Sequence, residues 1–443
     1  MQDIKRFVAG GLFMKKKLKR ALCAGLCVGT VLPICTGCAE QKPDYTNFEI
    51  VLGETVIVAQ GEPGKFDWGY VQFPGIYYDE DGHIVATYQK GTDSIAYDSV
   101  TCYKISTDGG VTWDDAGEVS TASVHGEAMK TPMPNGKYFA GFVGGGSHTQ
   151  DYLQNYTPAA TGDSRNYGDI KLYFQEDLLN DPAAAEDIKI TAREYDPETK
   201  EFTTFDVKVN WPYAPVVQMG DMVYPFKQFF ALQNHAVIAV GDELYIPIYR
   251  EGFNSDAFSR EEAIMDSSLV GKSHVYLFKS SDNGRTWDYL SMVTARANFV
   301  DGLSETSIQK MPDGSFIMVM RTGDANPSQI VRSTDGGYTW TELATFDANG
   351  GVMPKLLQLD CGVTLASYGG RPNVYIRGTS DPAGLEWSDV TSPPLAVSSC
   401  CYTDMIALDE DTALLIYIDG GLRNPEGKFV KAAVVCTVTI KPI

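Results

Sequence analysis

An eight-residue pattern that returns along the chain constrains its fold more than any other feature. Ser106-Thr107-Asp108-Gly109-Gly110-Val111-Thr112-Trp113, Ser280-Ser281-Asp282-Asn283-Gly284-Arg285-Thr286-Trp287 and Ser333-Thr334-Asp335-Gly336-Gly337-Tyr338-Thr339-Trp340 share one template, and Ser380-Asp381-Pro382-Ala383-Gly384-Leu385-Glu386-Trp387 is a decayed copy. The second and third copies begin 53 residues apart and the third and fourth 47, close to the length of one four-stranded antiparallel unit. The template has the chemistry of a turn. Its Asp can accept backbone N–H bonds, its Gly supplies a positive φ, and its Trp is expected to fill the gap beside the next sheet. These residues are read as structural, outside any active site.

Between the copies, short β-branched and aromatic runs are bounded by Asp-Gly or Gly-Asp. His83–Tyr88, Leu244–Tyr249 and Phe316–Met320 read as strands of hairpins. Long apolar stretches of helical period are scarce, so helices should be few. One gap is uneven: 166 residues separate Trp113 from Ser280, and residues 144–210, with Gly-, Asp- and Asn-rich pieces, read as a long loop over the mouth of the molecule. Counting copies and gaps gives an all-β, six-bladed β-propeller whose remaining blade is closed by the chain ends, with seven blades as the alternative count.

The first 37 residues read as an export signal: Lys15, Lys16, Lys17, Lys19 and Arg20 follow Met14, then comes an apolar run from Ala21 to Ile34, then Thr36-Gly37-Cys38. Small residues before Cys38 resemble a bacterial lipoprotein cleavage site, which implies that Cys38 is lipidated; Cys35 departs from that pattern, and a plain cleaved signal or uncleaved anchor is the alternative. Residues 38–47 form a polar tether and 48–443 the folded domain. The expected location is the cell envelope or the medium outside the cell, with membrane contact only through the anchor. Without residues 1–37, which carry seven Lys/Arg and one acid, the formal charge falls from -21 to -27. Such a surface repels phosphate backbones, which argues against a nucleic-acid partner. The cysteines left in the domain, Cys102, Cys361, Cys400, Cys401 and Cys436, are odd in number and lack metal spacing. The five histidines show no metal spacing, and Gly144-Gly145-Gly146 lacks the Lys-Ser/Thr of a phosphate loop, so no cofactor is expected.

The repeats resemble the Asp boxes of the sialidase superfamily, and material between them extends the resemblance over most of residues 68–405. Leu303-Ser304-Glu305-Thr306-Ser307-Ile308 with Arg321 sixteen residues after Glu305, then Arg371, then Ser399-Cys400-Cys401-Tyr402-Thr403, follow the order of the sialidase catalytic segments. The resemblance implies a sialidase-type propeller in which Tyr402 is the nucleophile, Glu305 accepts its proton, Arg321 and Arg371 hold a substrate carboxylate, and Asp93 is the acid/base, with Asp98 its competitor. A tyrosine suits a substrate bearing a carboxylate on the reacting carbon, because a carboxylate nucleophile would be repelled there. One departure stands out: the Arg-Ile-Pro motif of sialidases is replaced by Gln72-Phe73-Pro74. Trading a charged donor for an amide weakens carboxylate binding by about 1.5–3 kcal/mol. Either the substrate differs or another cation compensates, and Arg250, at the end of a predicted strand, is the candidate.

Three readings follow. The first is an exo-glycosidase releasing terminal sialic acid or a related acidic sugar from extracellular glycans. The second is a propeller glycosidase acting on a uronic acid or neutral glycan. The third is a non-catalytic propeller that binds glycans or a protein. Oligomeric state is not legible in the sequence.

Overall fold

The computed structural model describes residues 43–443 apart from 80, 92–99, 121–130, 145–150, 166–167, 225, 232, 324–326, 349, 371–372, 391–394 and 396–401. Hairpins form where alternating apolar runs meet a turn. Between Gln72–Tyr78 and Ile84–Lys90, Asp79 Oδ1 accepts the amides of Asp81 (3.0 Å) and His83 (2.8 Å), and Gly82 takes φ +79°. His83 sits at that turn edge, its Nδ1 3.2 Å from Asp79 Oδ2.

The hairpins extend into successive antiparallel meanders. One sheet runs Gln72–Tyr78, Ile84–Lys90, Val100–Ser106, Asp114–Ser120; another Ser304–Lys310, Phe316–Arg321, Ser328–Ser333, Ala344–Asp347; a third Val352–Gln358, Thr364–Gly369, Val374–Thr379. Central strands carry unbroken apolar runs, as Phe316 to Met320 in Phe316–Arg321, because both faces are covered. Outer strands alternate, as in Glu201–Asn210, where Phe205, Val207 and Val209 turn inward between exposed neighbours. First strands of successive sheets lie side by side: Gln72–Tyr78 against Thr403–Ala407, Thr403–Ala407 against Val352–Gln358, and Val352–Gln358 against Ser304–Lys310, which in turn meets Glu243–Glu251. This is the radial stacking of a β-propeller.

Two features bind the ring together. Phe48–Leu52 and Val56–Gln60 both pair with Phe429–Pro442, so the two ends of the domain share the sheet that carries Thr403–Ala407. Tyr45, in the segment read as tether, is buried and donates its hydroxyl to Asp411 at 2.9 Å. Elsewhere, Lys208–Asn210 pairs in parallel with Thr286–Asp288, fusing the meander that ends in Glu201–Asn210 with the one that ends in Thr286–Val293 into one eight-stranded sheet.

The segment read as a loop, 144–210, is structured over most of its described residues. It contains Ala160–Ser164 and Gly168–Phe174, which join Pro215–Met219 and Met222–Tyr224 in a four-stranded sheet, the helix Pro182–Ile188, and two strands of the fused sheet, Ile190–Asp196 and Glu201–Asn210. Its polar pieces are the turns, and the alternation in Ile170, Leu172 and Phe174, all buried, was hidden between them.

The four repeat turns share one construction. Asp108, Asp282 and Asp335 each accept the amide of the template Thr (2.9, 2.8 and 2.9 Å) and the hydroxyl of the template Ser (2.8, 2.9 and 2.7 Å). The decayed copy keeps the plan, Asp381 accepting from Leu385 (2.7 Å) and Glu386 (3.2 Å). The template glycines Gly110, Gly284, Gly337 and Gly384 have φ between +67° and +93°. The tryptophans correct the expectation. Trp287 packs on Phe139 and Phe142, Trp387 on Phe346, and Trp340 donates to Ser291 Oγ at 2.9 Å, in each case the preceding four-stranded unit and not the next. The turn leads into the outermost strand, and the ring folds back over the side from which the chain has come.

Candidate active site

Three first strands carry the residues that meet beside Tyr402, and each is bulged where it does so. Register slips between Gln72 and Gly75, between Ser304 and Thr306, and between Val352 and Lys355. Inside these slips Phe73, Glu305 and Met353 have φ of +52°, +30° and +45°, values that non-glycine residues rarely adopt, and Val71 has +45°. Among the described residues, four of the seven non-glycine residues with positive φ thus lie on the segments around one tyrosine. Strain of this kind persists where the surroundings over-determine it, and it concentrates at functional sites.

The bulge turns the Glu305 carboxylate toward three partners. Oε1 accepts from Tyr402 Oη at 2.9 Å and from Arg321 Nη1 at 2.8 Å, and Oε2 accepts the Met353 amide at 2.9 Å. Glu305 and Tyr402 are buried and Arg321 is half-buried at the end of the return strand. Burial alone pushes the Glu305 carboxyl upward, but the charge and hydrogen bond of Arg321, the Met353 amide and the Tyr402 hydroxyl outweigh it, and the net pKa lies below the ordinary 4.5. Tyr402 moves the other way, raised well above 10 by burial and by the Glu305 charge, with Arg321 opposing. The resting pair is therefore a carboxylate facing a protonated phenol, a base aimed at the hydroxyl proton. The Phe73 ring stands edge-on to the Tyr402 ring at 4.9 Å and holds it in place.

A second ion pair, of a half-buried lysine and a buried aspartate, braces the same strands, and sequence reasoning missed it. Lys355 Nζ lies 3.1 Å from Asp404 Oδ1 and also donates to the His235 carbonyl at 3.2 Å, while Asp404 Oδ2 accepts the Ile76 amide at 3.1 Å. Asp404 and Lys355 each follow a site residue, Tyr402 and Met353, by two positions. Only that i, i+2 relation could have signalled them.

Gln72 is fully buried, and its Oε1 accepts from the Gly69 amide (2.9 Å) and from Lys431 Nζ (2.9 Å). Arg250, the candidate substitute cation, is engaged elsewhere. It pairs with Glu251 (3.2 Å), its Nη2 meets Met219 Sδ (3.2 Å), and its guanidinium lies over the rings of Tyr224 and Phe229. Its strand turns it toward the inserted sheet. Asp93, Asp98, Arg371 and Cys38 lie outside the described residues, as do Cys400 and Cys401. Cys102, Cys361 and Cys436 are free thiols. Among the described residues no cluster of three or more His, Cys, Asp or Glu could hold a metal ion.

No family model matches the chain, and no curated protein sequence matches it. Among solved structures it is similar to a protein of unknown function from Dyadobacter fermentans, with 17% identity and a TM-score of 0.56 over 88% of this chain and 99% of that one. A Hadza microbial sialidase matches at 16% identity and a TM-score of 0.49, over 82% of this chain and 65% of that one. The alpha-L-arabinofuranosidase of Fusarium graminearum matches at 13% identity and a TM-score of 0.49, over 87% and 97%. The first is a likeness of fold, and the other two are too distant to carry an argument, so function has to be argued from the side chains.

Proposed function

We propose that the chain is a retaining exo-glycosidase of the sialidase type, built on six blades if the fused sheet counts as two and the inserted sheet as none. The observation that carries the reading is the Tyr402–Glu305–Arg321 hydrogen-bonded set. In the first step the Tyr402 oxygen bonds to the anomeric carbon as the glycosidic C–O bond breaks. The phenol proton passes to Glu305, and the leaving oxygen takes a proton from Asp93. Water then attacks the same carbon, its proton returns to Asp93, and the departing Tyr402 oxygen recovers the proton held by Glu305. Arg321 keeps Glu305 ionised between turnovers, and Arg321 and Arg371 are assigned to hold the substrate's acidic group. The substrate in this reading is a terminal sialic acid or related acidic sugar on an extracellular glycan, reached by an exported protein tethered through Cys38.

Tyr402→Phe removes the nucleophile and leaves the ring packed on Phe73. Turnover of a fluorogenic sialoside is expected to vanish while the protein stays folded, and full activity in this variant would falsify the assignment. The neutral amide of Gln72 supports a second reading, a propeller glycosidase for a uronic acid or neutral glycan. A panel of aryl glycosides separates the two, since turnover of another sugar with none of the sialoside selects the second.

A further inference from the structure

We propose that Lys431 is the cation that equips Gln72 to bind a sugar carboxylate, acting from behind the amide and not by touching the ligand. The proposal rests on the reading of Tyr402 and Glu305 as the reacting pair. Gln72 directly precedes Phe73, whose ring lies against Tyr402. Its orientation is fixed by chemistry: both groups facing Oε1, the Gly69 N–H and the Lys431 ammonium, are donors, so the oxygen has to be on that side and the two N–H bonds of Nε2 on the other. Nε2 is buried and has no hydrogen-bond partner among the described residues. A buried amide with its donors unmet is an unfavourable arrangement that a ligand oxygen relieves.

Lys431 belongs to the same end of the molecule as the reacting pair. In the last sheet Thr403 is paired with Tyr417, Ile418 with Ala433, and Asp419 with Ala432, so Lys431 stands at the end of the sheet where Tyr402 precedes its first strand. It is itself buried, and its ammonium also reaches the Asp67 carbonyl at 3.3 Å. An ammonium bound to an amide oxygen draws electron density through the amide and strengthens its N–H groups as donors, most of all toward an anion. Gln72 with Lys431 behind it thus does in two residues what one arginine would do in contact: it presents two N–H groups backed by a positive charge. The sequence hides this, because the residues are 359 positions apart.

The test is binding of 2-deoxy-2,3-didehydro-N-acetylneuraminic acid, measured by calorimetry beside its carboxamide, which keeps the ring and loses the charge. In Gln72→Glu the new carboxylate pairs with Lys431 and Gly69, so the fold survives, as a melting curve will show, but the N–H donors are gone. Affinity for the acid is expected to fall about tenfold to a hundredfold, and affinity for the carboxamide by less. Lys431→Met should weaken the acid in the same sense and Lys431→Arg should restore it. The proposal is overturned if the acid binds Gln72→Glu as it binds the unaltered protein, if acid and carboxamide lose affinity equally, if the unaltered protein binds neither, or if arginine at 431 behaves as methionine does. Tyr402→Phe separates this from the parent reading. Persistent turnover in that variant, with acid binding still dependent on Gln72, sinks the nucleophile and leaves the Lys431 inference standing.

Discussion

Glu305 gathers most of the forces at the candidate site. Burial opposes its charge, and three donors restore it, so the carboxylate is ionised at all pH values above the ordinary 4.5 and an acid limb in the rate profile above that point belongs to another group. Glu305→Gln keeps the shape and can still accept from Arg321 but cannot take a proton. Its kcat on a fluorogenic glycoside should fall about 10²–10⁴-fold, with circular dichroism little changed. Glu305, Arg321 and Tyr402 were legible in the sequence because their order and spacing reflect a hairpin and its neighbouring blades. Lys355, Asp404 and Lys431 were not, since what makes them matter is a partner on another sheet. Gln72 was legible as a departure, yet its consequence was not: the expected compensating cation, Arg250, sits against Glu251, and the ammonium that meets Gln72 comes from the last strand.

At the scale of elements, the repeat turns are small carboxylate traps. Hydrogen bonds from Thr339 and Ser333 bring the Asp335 pKa from 3.8 down to about 2, and Thr112 and Ser106 do the same for Asp108. A carboxylate whose folded pKa is depressed stabilises the native state fully above its unfolded value and loses that contribution as pH falls through the folded one. Stability should therefore decline between pH about 4 and about 2, and Asp335→Asn should lower the melting temperature at neutral pH while flattening its dependence on pH in that window. An unchanged slope would mean the turn carboxylates are not responsible. The turn itself was readable from eight residues, since every bond in it is local. The direction in which its tryptophan packs was not, because that depends on which way the ring closes. The strands within 144–210 were obscured for a related reason: a short alternating run between two polar turns looks like more loop until its partners at Pro215–Met219 are known.

For the molecule as a whole, the seam between chain ends is where integrity depends on few residues. Deleting residues 44–60 strips one edge of Phe429–Pro442 of both its partners and removes the buried Val58 and Tyr45 from the core. A loss of roughly 5 kcal/mol or more is expected from the backbone pairs and apolar contacts together, seen as a lower melting temperature and aggregation through the bare edge. A synthetic peptide of residues 44–60 added in trans should recover part of it, and no recovery would point to a cause other than the missing strands.

The parallel pairing of Lys208–Asn210 with Thr286–Asp288 sets the opposite side of the ring apart. Two neighbouring blades are stitched there by main-chain hydrogen bonds, whereas the Tyr402 side is held by side chains between separate sheets. Opening one of these two blades therefore requires breaking main-chain bonds to the other. Hydrogen exchange is expected to be slowest across the fused pair, where main-chain bonds cross from blade to blade, and faster at the seams between separate sheets.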